Sequence, residues 1–179
     1  MSIDPRANSA ERLVAPAPLP HVSRRALKRV KNPLPAPTEC RYCGGCVELV
    51  SNSEIYNGRE YGEWPYAYLC GDCKAYVGLH PSTDIPLGTL AAPQLRKDRN
   101  AAKDAFHRVK EKRGFSRSLA YQWLAGKMGI PVEECHFGWF DQDDCARALA
   151  LCTDDLTASA CTGNAWVQAF KHARKITWP

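Results

Sequence analysis

No apolar run in the chain approaches the roughly 18 residues that a membrane-spanning helix requires. The first residues carry no apolar core of the kind that a secretory signal needs. Cysteine is plentiful but odd in number, at nine of 179 residues, which suits a reducing cytoplasm better than a secreted disulfide scaffold. A phosphate-cradling glycine loop, a Ser/His/Asp spacing and a paired-carboxylate signature are all missing, so a non-enzymatic role is expected. Apolar periodicity is nearly absent from residues 1–38, which hold seven of the thirteen prolines. That segment cannot offset its ordering entropy and is expected to be a disordered, Pro-rich basic tail. Within it, Arg24, Arg25, Lys28, Arg29 and Lys31 lie between Pro20 and Pro33. They read as a phosphate-contacting cluster or as a solvated spacer, with an Arg-rich transit peptide as a remote third reading.

What the chain does have is organised around Cys40–Arg–Tyr–Cys43–Gly–Gly–Cys46 and Cys70–Gly–Asp–Cys73. Two Cys-x-x-Cys pairs separated by 26 residues can gather four thiolates around one Zn2+, because each pair sits on a tight turn. The interval explains its own length. Residues 47–56 alternate in part, Asn57–Gly58 is a turn dipeptide, and the aromatic-rich stretch from Tyr61 to Leu69 returns to the second pair, as a hairpin would. Of three cysteines available to the first knuckle, Cys40 and Cys43 are preferred, since Gly44 follows Cys43 and lets the turn curl its amides toward sulfur. Cys46 is then spare, and His80 finds no vacancy. Two disulfides or free core thiols are the competing reading.

A long helix is expected from Pro93 until Gly114 closes it. Leu95, Ala102, Phe106 and Val109 fall on its buried stripe, with Arg96, Arg99, Lys103, His107 and Lys110 on a basic ridge about 90° around. Between Arg96 and Lys127 ten Lys/Arg meet three acids. Arg96 and Lys97 lie in the first turn, where the helix dipole disfavours cations, and this asks for an anionic partner or a neighbouring carboxylate. A second helix is capped by Ser116 and ended by Gly129. A third is capped by Asp141, with Cys145, Ala148, Leu149 and Cys152 on one face. A helix-turn-helix is not expected, because the piece after Gly129 is short and carries Glu133 and Glu134. Residues 128–160 hold seven acids and one Arg, so the helical part has an acidic edge opposite its basic one. A short C-terminal helix is expected over 164–175. Cys135, His136 and Cys145 have metal-ligating chemistry but lack a fourth partner. His80, Cys135, His136 and Asp141 are the one set whose convergence would suggest chemistry, and core packing is the expectation for each.

Taken together, Cys-x-Tyr-Cys-Gly-Gly (40–45), Ser53–Glu–Ile–Tyr56, Ala75–Tyr–Val–Gly-x-His80, Pro86–Leu–Gly–Thr–Leu90, Arg96 with Arg99, residues 118–124, and Cys135–His–Phe–Gly-x-Phe–Asp141 resemble a family of small zinc-finger-containing proteins found in phages and bacteria. That family has no assigned biochemical function. The resemblance spans about residues 39–152 and implies a metal-binding ribbon with a helical partner, in a bacterial or phage-host cytoplasm. Family members tend to carry a histidine near position 103, where this chain has Lys103, so the resemblance supplies no catalytic histidine on this helix.

The expected fold is α+β: a zinc ribbon packed on three to four helices. The expected division is a tail at 1–38, the ribbon and its connector at 39–92, the helical segment at 93–155 and a terminal helix at 156–179. The metal ligands are Cys40, Cys43, Cys70 and Cys73. The expected function is nucleic-acid binding through Arg96, Lys97, Arg99, Lys103, Lys110, Lys112, Arg113 and Arg117, with exposed aromatics such as Tyr42, Tyr61, Trp64 or Tyr66 stacking on bases. The alternative is a protein-interaction adaptor, such as one that engages a host factor, in which zinc only holds the fold.

Overall fold

The computed structural model of the chain describes residues 2–158. Its architecture is α+β, with one three-stranded antiparallel sheet and four α-helices. The elements are α1 (Arg24–Leu27), β1 (Val47–Ser51), β2 (Tyr66–Cys70), β3 (Tyr76–Gly78), α2 (Pro93–Lys112), α3 (Arg117–Met128) and α4 (Gln142–Thr157). The helix expected over 164–175 lies outside the described residues. None of the described helices is long and apolar enough to cross a membrane.

Strand order is β1-β2-β3, and the register sets Val47 opposite Cys70 and Ser51 opposite Tyr66. Since β1 starts just after the first cysteine pair and β2 ends in the second, antiparallel pairing brings both pairs to one end of the sheet. The strands are shorter than the alternation suggested. At Asn52 the chain enters a short 3-10 turn, and the Asn52 side chain donates to the Tyr61 carbonyl at 2.8 Å and accepts from the Tyr61 amide at 3.2 Å. A side chain thus takes the place of the ladder, and residues 55–65 become a loop that turns at Asn57 and Gly58, both at positive φ.

The three longer helices form where the caps predict. Pro93 opens α2 and Gly114 follows it at φ 62°. The Ser116 hydroxyl accepts from the Leu119 amide, and Gly129 ends α3 in the left-handed region at φ 68°. The Asp141 carboxylate accepts from the Asp144 amide at 2.8 Å. Caps of this kind contribute about 1 kcal/mol each. Leu95, Ala102, Phe106 and Val109 are buried against Trp123, Leu124 and Phe140, together with the fully buried thiols of Cys135, Cys145 and Cys152. Leu149 departs from expectation: it is exposed, because α4 turns only its Cys145, Ala148 and Cys152 edge inward.

The N-terminal segment corrects the expectation of a disordered tail. Residues 2–38 lie against the ribbon and its connector, with Leu27 fully buried beside Ala7, Val30 and Ile85, and Leu19 packed into the ribbon core. Arg6 bridges Asp4 and Asp84, bonding Asp84 at 2.7 and 2.8 Å, and holds the Asp4 carboxyl below the ordinary carboxylate range. The apolar anchors Leu19, Leu27 and Val30 are too irregularly spaced to show a period. They are placed by contacts with residues some 50 positions away in sequence rather than by local propensity.

Candidate metal centre and basic face

The two knuckles repeat one local geometry. In the first, the Gly44 amide donates to the Cys40 carbonyl at 2.9 Å with Gly44 at φ 70°. In the second, the Lys74 amide donates to the Cys70 carbonyl at 3.2 Å with Lys74 at φ 59°. A residue in the left-handed region is what closes each turn, and glycine meets that need at one knuckle only. At Gly45 a Cβ would stand 2.1 Å from a carboxylate oxygen of the exposed Asp72, where the first knuckle passes the second, so a larger residue there would make the Asp72 side chain move.

The knuckles interleave their thiols. Cys40 Sγ lies 3.5 Å from Cys73 Sγ, Cys43 Sγ lies 3.5 Å from Cys70 Sγ, and the four donor atoms all fall within 4.8 Å of one another. A tetrahedral zinc with four sulfurs at about 2.3 Å has edges of about 3.8 Å, so the spacing and the donor set both fit Zn2+. The ionisation pattern points the same way. Amides of Cys73 and Asp72 bring the Cys70 thiol down to about 7. At Cys43 the Gly45 amide pulls the thiol down, but the neighbouring thiols Cys70, Cys73 and Cys40 and the loss of solvent push it up to about 12. Four thiolates this close cannot all ionise without a cation to hold them. Cys46 stands outside the cluster and is exposed. His80 and the trio Cys135, His136 and Cys145 are likewise not in it. Burial raises Cys135 and Cys145 each to about 11, as expected of core thiols.

The basic residues of α2 divide by what they touch. Arg99 is drawn inward, donating to the Phe140 carbonyl at 2.9 Å, the Thr89 carbonyl at 3.0 Å and the Thr89 hydroxyl at 2.7 Å, and burial lowers its pKa. It ties the connector to the helical core. Arg96 donates to the Ala91 carbonyl at 2.6 Å, and its guanidinium stacks 4.1 Å over the Tyr76 ring. This explains a cation in the first turn: its partners are a carbonyl and a ring face, not the helix dipole. At the far end Lys112 caps the carbonyls of Asp155 and Leu156 at the end of α4, and Arg113 pairs with Asp155. Lys97 and Lys103 are exposed, Lys110 is half-buried, and none of the three makes an ion pair among the described residues. Arg117 lies elsewhere, over Tyr121 in a cavity beside α3.

A row of rings continues from Arg96. Tyr76 meets Tyr56 at 6.3 Å between centroids, with their hydroxyls 3.2 Å apart, and Tyr56 meets Tyr61 at 5.0 Å. Tyr56 and Tyr61 are exposed. Trp64 and Tyr66 pack on each other instead, and the Trp64 indole donates to the Thr83 carbonyl at 3.0 Å. From the first knuckle, exposed Arg41 reaches the Thr89 hydroxyl at 3.4 Å, and the exposed Tyr42 donates its hydroxyl to the Leu90 carbonyl at 3.1 Å. Residues of the ribbon and of α2 therefore meet on the connector 89–91. Arg41, Tyr56 and Tyr76 are not among the expected binding residues, although Tyr56 and Tyr76 fall within the motifs that carry the family resemblance. The fold of the 55–65 loop back toward β3, which local periodicity does not show, is what places Tyr56 beside Tyr76.

A family model described as a zinc-finger-containing domain matches residues 36–155, which include all four clustered cysteines, α2 and α3. No curated protein and no solved structure matches the chain.

Proposed function

The chain belongs to the family of zinc-finger-containing domains, and from that premise we propose that it is a zinc-binding protein that holds unpaired nucleic acid on the face joining its ribbon to α2. The observation that carries this reading is the row Arg96, Tyr76, Tyr56, Tyr61, a stacked guanidinium followed by three rings of which the outer two are exposed. Exposed aromatic faces beside cations are how proteins hold bases without reading their edges, by stacking each base on a ring. The exposed Lys97 and Lys103 of α2 and the exposed Arg41 of the first knuckle supply the phosphate contacts. Zinc in this scheme is structural: a closed set of four thiolates leaves no open position for a substrate, and the metal fixes the knuckle from which Arg41 and Tyr42 project.

The experiment is a binding titration of the zinc-loaded chain against labelled single-stranded DNA, duplex DNA and RNA, with a Tyr56→Ala/Tyr61→Ala variant alongside. Preference for an unpaired strand that falls by about tenfold or more in the variant supports the reading, since one stacked base is worth about 1–3 kcal/mol. Equal binding by the variant removes the ring row from the account. Failure of every nucleic acid at low salt would leave the protein-adaptor reading in its place.

A further inference from the structure

A cavity of about 540 Å³ opens on the other side of the connector, between α3, the 131–139 loop, the 80–87 turn and the folded N-terminal segment. Its size is that of a small-molecule site. Arg117 enters from the start of α3, and Arg29 and Lys31 arrive from the N-terminal segment. None of the three makes an ion pair among the described residues, and Glu133 is the one carboxylate in the lining. One wall is a row of planar rings: Tyr121 and His136 at 6.5 Å between centroids, then His136 and Trp139 at 4.7 Å. The Arg117 guanidinium sits 5.9 Å from the Tyr121 ring, at one end of that row. Pro86, Leu87 and Val132 supply apolar surface. The half-buried imidazole of His80 also lines the cavity.

We propose that this cavity is a binding site for a nucleoside monophosphate or a close chemical relative, with the planar base against the His136 and Trp139 rings and the phosphate held by Arg117, Arg29 and Lys31. The chemistry that selects this class is the combination of features. Three unneutralised cations from two distant segments ask for a compact anion, which a guanidinium meets with two parallel bonds. A wall of neighbouring, mutually tilted rings offers aromatic faces to a flat group. The His80 imidazole adds a group that can donate to or accept from the polar edge of a base. Folding of the N-terminal segment completes the site, since Arg29 and Lys31 reach it only when Leu27 and Val30 are seated. The site does not depend on the nucleic-acid reading, and it shares none of the residues assigned there.

The test is calorimetry of the zinc-loaded full chain with AMP, GMP, CMP and UMP, and with the four corresponding nucleosides and inorganic phosphate as the separated halves. At least one nucleotide is expected to bind one per chain with a Kd below about 1 mM. Its nucleoside or phosphate alone should bind at least about tenfold more weakly, because each half forgoes the other's contacts. Arg117→Ala, an exposed position at the start of α3, is expected to weaken binding by about tenfold or more, and Trp139→Ala to weaken it as well. Tyr56→Ala/Tyr61→Ala should leave it unchanged. No binding of any of the four nucleotides up to about 5 mM, or a Kd unmoved by Arg117→Ala, would overturn the proposal.

Discussion

Gly88 and Gly138 lie back to back, so close that a Cβ on Gly88 would stand 2.1 Å from the Gly138 carbonyl oxygen. Next to this contact the Thr89 amide donates to that same oxygen at 2.9 Å. The pair forms the seam between the ribbon's connector and the helical part, and Arg99 clamps it by binding Thr89 and Phe140 on either side.

Gly88→Ala is therefore expected to destabilise the protein by about 2–4 kcal/mol, since backbone rather than a movable side chain blocks the new methyl. Gly126→Ala is the comparison. That glycine sits inside α3 with open space at its Cβ, and the change should stabilise by about 0.5–1 kcal/mol. Denaturant unfolding of both variants checks the pair of signs.

Metal content should be one zinc per chain, lost in Cys43→Ala and kept in Cys46→Ser, as measured by elemental analysis of the purified protein. Chelation is expected to unfold the ribbon cooperatively, because structural zinc supplies about 10–16 kcal/mol in small zinc-finger peptides. Retention of zinc by Cys43→Ala would mean that Cys46 or His80 completes the set.

Limited trypsin digestion reads the N-terminal segment. Its basic cluster from Arg24 to Lys31 offers five cleavage points, and a segment seated by Leu27 should resist cleavage there on the timescale of the folded core. Leu27→Ala, which removes a fully buried side chain, is expected to cost about 2–5 kcal/mol and to expose those points. Immediate cleavage of the unaltered chain would restore the disordered tail.

Acid should weaken the fold partly through His80, whose pKa burial holds below the ordinary 6.5. A lowered imidazole pKa means that the unfolded chain takes up a proton more readily than the folded one. The stability involved is present above about pH 6.5 and is lost as pH falls through that value toward the folded pKa. The thermal midpoint is expected to drop between pH 7.5 and 5.5, and to drop less in His80→Gln. Equal drops in both proteins would assign the acid sensitivity to other groups, the zinc thiols first.

The parts of this molecule that local chemistry dictates were legible before folding. Cys-x-x-Cys spacing announced the cluster, and Ser116, Asp141, Gly114 and Gly129 announced the helix ends, because caps and knuckles depend on neighbours a few residues away. What was not legible depends on distant partners. Arg99 reads as a surface cation until Thr89 and Phe140 are seen to accept its bonds. Leu27 reads as part of a tail until Ile85 is seen to cover it. Lys74 occupies a left-handed position that sequence would assign to glycine, because the second knuckle closes around metal-binding thiols and can hold the strain.

The most direct measurement is the salt dependence of binding to a short unpaired oligonucleotide, comparing the zinc-loaded chain with a Lys97→Ala/Lys103→Ala variant. The account predicts affinity that falls linearly with salt on logarithmic axes, with a slope reduced by about 0.7 for each phosphate contact removed. Binding that ignores salt, or a slope unchanged in the variant, would contradict it.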